Sequence, residues 1–264
     1  MSALLPAALK RIRPSIFLLQ FAGIAVVGLF AIAWLRIPDS HPWQLIFSTA
    51  LAAAIVAGFL LLHATILRRL RQPVHSTAAW LGGLLLALWL LLACALSTVA
   101  MHINDDASRR SGYVHSQLGH RFRYFFTYQN LYTWQQDAVS VIVWFVIPAL
   151  LLPFAMETVS RGLSRPTWRN SFCVLRRWQH WLTVGLSSWI ALWLTNRLIA
   201  WHPSYTVRGE LLSTAFRLGL AYLMDIFFLT LVLSLIAELL VRCDARWNST
   251  PQPSAHSVKP ASGS

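Results

Sequence analysis

Charge is scarce in this chain. Asp, Glu, Lys and Arg make up 12% of its 264 residues, against roughly 25% in a soluble domain. With 56% of the residues hydrophobic, there are too few polar groups to cover a soluble globule, and the chain is too apolar to stay disordered. Cysteine is scarce as well. Cys94, Cys173 and Cys243 are the only three, which is too few for a disulfide scaffold, and none has a neighbour at metal-ligand spacing. Familiar catalytic signatures are missing too: there is no HExxH pair, no glycine-rich phosphate loop, no haem-attachment motif and no cluster of acids for Mg²⁺. The sequence therefore assigns no catalytic, cofactor-binding or metal residue, and an enzyme is the less favoured class.

Long apolar runs are abundant. About 20 apolar residues cross the hydrocarbon core as a helix, and six segments reach that length: 16–35, 43–67, 78–101, 138–156, 181–201 and 218–237. Backbone groups in lipid must bond within their own segment, so these runs predict helices. Lys10, Arg11 and Arg13 followed by an apolar run and Ala31-Ile32-Ala33 resemble a cleavable signal peptide. The run is longer than the usual 7–15 residues of such a peptide, which favours an uncleaved first helix. The expected fold is all-α: a polytopic integral membrane protein with a bundle of six transmembrane helices.

The basic residues orient the bundle. With the N-terminus inside, the inner segments hold Lys10, Arg11, Arg13, Arg68, Arg69, Arg71, Arg161, Arg165, Arg169, Arg176, Arg177, Arg242, Arg246 and Lys259. The outer segments hold Arg36, Arg109, Arg110, Arg121, Arg123 and Arg208. Positive-inside asymmetry therefore predicts N-in and C-in, in a bacterial cytoplasmic (inner) membrane. It also accounts for most of the net charge of +13, which lies in segments flanking helices and not on a groove-fitting module, so nucleic acid is not an expected partner. The expected partners are the lipid bilayer and another membrane protein or a second copy. No cysteine falls in an outer segment, and no disulfide framework is expected there.

The membrane domain spans 1–246, and the Ser- and Pro-rich segment 247–264 reads as a disordered cytoplasmic tail. The long outer loop 102–137 is aromatic in its second half, and Leu118, Phe122, Phe125 and Phe126 recur near helical spacing. This pattern predicts an interfacial helix in the outer headgroup layer. Pro148 and Pro153 are expected to kink the fourth span. A shift of 165 residues superposes 16–35 on 181–200 and Ser48-Thr49-Ala50 on Ser213-Thr214-Ala215, a hint of a parallel repeat of the kind found in transporters.

The candidate functional residues are intramembrane and polar. Asp225 is the one acid well inside a span, where ionisable groups suggest a relay, an ion site or a counter-ion. Arg217 lies eight residues earlier on nearly the same face. Folding the last hairpin about 205–207 brings Arg197 to the depth of Arg217 and sets Ser187 and Ser188 level with Asp225. His41, His63, His102, His180 and His202 are scattered, and His115 and His120 are five apart where a helix face needs four. Asp105 and Asp106 read as solvated. Glu238 and Arg242 read as an i,i+4 pair at the inner interface. These features favour a transporter- or permease-like component. The alternatives are a non-catalytic accessory or scaffold subunit of a membrane complex, and a membrane-embedded enzyme or b-type haem protein.

Overall fold

The structure is a computed structural model that describes residues 4–38, 40–72, 78–201 and 207–248. It is all-helical, with no strand among the described residues. The elements are α1 (Leu4–Arg11), α2 (Pro14–Trp34), α3 (Pro42–Arg71), α4 (Ala79–Asp105), α5 (Ala107–Gln117), α6 (His120–Arg123) and α7 (Tyr128–Val141). One π-helical turn, Ile142–Val146, then leads into α8 (Ile147–Arg161), followed by α9 (Arg165–Leu175), α10 (Trp178–Ala200) and α11 (Val207–Asn248). Among the described residues, five helices are long and apolar enough to cross a bilayer: Pro14–Trp34, Pro42–Arg71, Ala79–Asp105, Tyr128–Arg161 and Gly209–Trp247. The architecture is that of a helical membrane protein. α10 is 23 residues long but falls outside that group. His180, Thr183, Ser187, Ser188, Thr195, Asn196 and Arg197 dilute its hydropathy.

Proline and polar caps set several helix starts. Pro14, Pro42 and Pro166 lie in the first turns of α2, α3 and α9, where a missing N–H costs nothing and the fixed φ suits a helix. His41 and Gln44 form a reciprocal cap at α3. In the fourth long helix the two interior prolines act differently. Pro148 follows the π turn directly, a local widening that relieves the clash of its ring with the turn before. Pro153 sits inside α8 and leaves the carbonyl of Ala149 without its helical donor. His180 of α10 supplies one, with Nε2 at 2.9 Å from that oxygen.

The outer segment differs from its periodicity. Instead of one helix through Leu118–Phe126, α5 ends at Gln117, Leu118 and Gly119 are extended, and only the short α6 follows. Gly119, a poor helix former, lies between them, and Thr127 then caps α7 through the N–H of Asn130. The tail from 249 onward and His202 lie outside the described residues.

The helices alternate in direction, and burial concentrates at the end where the arginines gather. Every residue from Pro153 to Ser160 of α8 and from Val232 to Leu240 of α11 is buried, the pattern of helix segments enclosed all round. Trp89 of α4 stacks on Phe154 and donates to Thr158 Oγ1 at 2.8 Å. Gln20 of α2 is fully buried and accepts from Thr230 of α11 at 3.0 Å. The first and last hairpins are tied at positions that the 165-residue shift relates. Trp34 Nε1 donates to the carbonyl and hydroxyl oxygens of Ser48, while Arg217 donates to the carbonyls of Ile199 and Ser213.

Close packing depends on small residues. A Cβ on Gly82 of α4 would lie 3.4 Å from both the side chain and the carbonyl oxygen of Val159 and 3.6 Å from Ala64, whereas one on Gly58 meets nothing within 4 Å. Gly82→Leu is expected to cost about 1–3 kcal/mol by overpacking, read as a lowered unfolding temperature in detergent. Gly58→Leu should leave that temperature unchanged or higher, and equal losses at the two sites would contradict this packing.

Candidate functional site

The densest polar chemistry lies where α3, α8, α9 and α11 converge at the arginine-rich end. Glu157 of α8 is fully buried. Arg71, in the last turn of α3, donates to it twice, Nε to Oε2 at 3.0 Å and Nη2 to Oε1 at 3.1 Å. Asn170 of α9 adds a third hydrogen bond at 2.9 Å. Asp244 of α11 sits beside this pair, taking both terminal nitrogens of Arg161. It also accepts from Arg71 and Asn170, each at 3.3 Å. Two carboxylates therefore face two guanidiniums and one amide, and the cluster is neutral as a unit. Such forked pairs are the strong form of charged hydrogen bond. A carboxylate with no partner at this depth would cost several kcal/mol.

A second ion pair extends the cluster toward the N-terminus. Glu238 of α11 accepts from Arg11 of α1 at 2.8 Å and from Arg242 at 3.0 Å, the latter being the i,i+4 pair read from the sequence. Arg11 also donates to the carbonyl of Leu70, so α1 is held against both α3 and α11.

Cys173 of α9 and Cys243 of α11 are joined by a disulfide, with their Cα atoms 6.2 Å apart. They are 70 residues apart in sequence, so spacing could not reveal the pair. Each is one turn or less from a cluster residue, Asn170 or Asp244. Beyond the bridge opens a cavity of about 910 Å³ lined by Arg169, Phe172, Cys173, Arg176, Arg177, Arg246 and Trp247. Arg169 lies over the Trp247 ring at 4.7 Å. Burial, together with the nearby charges of Arg246 and Arg242, pulls the Arg177 guanidinium below its ordinary pKa.

The residues singled out in the sequence lie elsewhere, toward the opposite end, and they do not form one cluster. Arg217 is buried and spends its guanidinium on Thr214 Oγ1 at 2.9 Å and on two backbone carbonyls. Arg197 is exposed over the Trp193 ring. Asp225 is exposed on α11 and accepts from Thr195 at 2.9 Å. Thr195, and not Ser187 or Ser188, is thus level with Asp225. Ser187 is buried two turns further down α10.

The buried carboxylates have their oxygens taken by cations and an amide, and His180 meets the Ala149 carbonyl through Nε2. Among the described residues, no group of three or more His, Cys, Asp or Glu could hold a metal ion. Sequence reasoning missed Glu157, Asp244, Arg71 and Asn170 as a unit. The one available signal was the placement of Glu157, Glu238 and Asp244 at the arginine-rich ends of spans, where the sequence holds no other acid.

The bridge closes a long loop and should contribute on the order of 2–4 kcal/mol. Intact mass of the purified chain is expected to be lighter than the reduced form by two thiol hydrogens, and reductant should lower its unfolding temperature. Cys94→Ser should leave both unchanged. A fully reduced mass with no response to reductant would contradict the bridge.

Comparison with protein-family models, with curated proteins and with solved structures found no match, so function rests on the geometry alone.

Proposed function

We propose that the chain is a six-span protein of a bacterial cytoplasmic membrane, N-in and C-in, that works as a transporter- or permease-like component with Asp225 as its functional intramembrane acid. α10 is counted as the sixth span because its 23 residues reach about 35 Å at 1.5 Å per residue and it lies antiparallel along α11. The excess of basic residues at the end formed by Arg71, Arg161 and Arg246 supports placing that end in the cytosol. The cytosolic thiol pool would then work to open the Cys173–Cys243 bridge.

Asp225 carries the functional reading. Among the described residues no cation pairs with it, and its bond to the Thr195 hydroxyl leaves most of its acceptor capacity unused. An ionisable group at such depth faces a water-filled path or a partner, and this one is exposed on the surface of the chain itself. The same exposure favours a second reading, an accessory or scaffold subunit in which a neighbouring membrane protein supplies the missing partner of Asp225.

One variant separates the two. Asp225→Asn, reconstituted in proteoliposomes with a trapped pH dye, is expected to lose proton flux while keeping the wild-type unfolding temperature. Unchanged flux with loss of a stoichiometric co-purifying protein would favour the accessory reading, and wild-type behaviour in both assays would remove both. For topology, Arg36→Cys in a cysteine-free background should react with an impermeant maleimide in intact cells and Arg165→Cys should not. The reverse pattern would overturn N-in, C-in.

A further inference from the structure

We propose that the cavity between α9 and α11 is a binding site for a phosphate-bearing anion, with the headgroup of an acidic phospholipid as the source that its position favours. The inference is independent of the role given to Asp225. It starts from the distribution of charge at the arginine-rich end. Glu157, Asp244 and Glu238 are committed to Arg71, Arg161, Arg11 and Arg242. Among the described residues no carboxylate pairs with Arg169, Arg176 or Arg177, yet all three line one cavity together with Arg246. Residues 249–264, which follow α11, contain no Asp or Glu, so the chain has no acidic side chain there to offer as counter-charge.

Like charges gathered in this way repel one another. The lowered pKa of Arg177 reflects burial first and then the fields of Arg246 and Arg242. An anion seated between them would relieve that repulsion, and guanidinium forks match phosphate oxygens in geometry as well as in charge. The site is also braced. Asn170, three residues before Cys173, is tied to both Glu157 and Asp244, which holds the α9 wall to α8 and α11 whether or not the Cys173–Cys243 bridge is closed. Arginines held in this way lose less freedom on binding than arginines on a mobile segment.

Two features favour a lipid over a free phosphate. The cavity, at about 910 Å³, is far larger than one phosphate group, and Phe172 and Trp247 give it apolar walls. It also lies where the apolar runs of α8 and α11 end, and Trp168 of α9 and Trp178, which follows Arg177, are exposed. Aromatic residues gather at the membrane–water interface, and basic pockets between helix ends at that depth hold anionic lipid headgroups.

The test uses the full chain in mild detergent, with lipid binding read by native mass spectrometry and by the shift in unfolding temperature. The probes are phosphatidylglycerol, phosphatidylcholine and inorganic phosphate. Phosphatidylglycerol is expected to bind the wild type about tenfold more tightly than phosphatidylcholine. Arg176→Gln/Arg177→Gln should lose about tenfold in that affinity, whereas Arg13→Gln/Arg69→Gln, which removes the same charge at the same end outside the cavity, should lose less than about twofold. Stabilisation of the wild type by inorganic phosphate, lost in the same cavity variant, would keep the anion site and assign it to a soluble ligand. Equal losses in the two double variants, or equal binding of the acidic and zwitterionic lipids with no response to phosphate, would overturn the proposal. Should the Arg176→Gln/Arg177→Gln variant unfold in phosphatidylcholine, Arg169→Gln on the α9 wall gives the same reading.

Discussion

The fork of Arg71 on Glu157 is the contact on which the arginine-rich end depends. Both side chains are almost wholly out of solvent, at 3% and 0% exposure, so each is tolerable there only because the other is present. Burying a lone carboxylate or guanidinium costs several kcal/mol even after relaxation. Pairing them obliges the last turn of α3 to meet α8 at one depth. Asn170 and Asp244 then complete the remaining hydrogen bonds, which brings in α9 and α11. The Cys173–Cys243 bridge and the position of the cavity wall follow from that convergence.

A second constraint acts higher in the bundle. Away from water, every backbone group needs a partner. Pro153 removes one donor from α8, and the Ala149 carbonyl left behind is met by His180 from α10. A histidine that looked like a scattered ligand candidate is therefore occupied with the backbone of another helix. Thr230 donating to Gln20 Oε1, and Tyr222 donating to the Phe21 carbonyl, tie α2 to α11.

The long apolar runs made the helical membrane architecture legible from composition alone, because length and hydropathy are local properties. Helices α2, α3 and α4 cover most of the apolar runs 16–35, 43–67 and 78–101. The cluster was hidden because its members, at positions 71, 157, 170 and 244, meet only once four helices have packed. Pairing in three dimensions leaves no mark in spacing. Asp225 stood out as an isolated acid, but its level partner was misplaced by two turns, since hairpin register depends on how far α11 runs past α10. The aromatic segment after Gln117 kept a helical period in its side chains, while Leu118 and Gly119 interrupted the backbone. The Glu238–Arg242 pair, by contrast, was readable because both residues lie on one helix.

Arg71 and Glu157 act as a unit, and neither contributes an independent charge. A double-mutant cycle on unfolding free energy tests it most directly, with Arg71→Met, Glu157→Gln and the two combined. Each single change should cost about 3–5 kcal/mol, because it strands the other charge. The double variant should cost little more than either single change, a coupling on the order of 2–3 kcal/mol. Losses that simply add in the double variant would contradict a shared, mutually dependent pair.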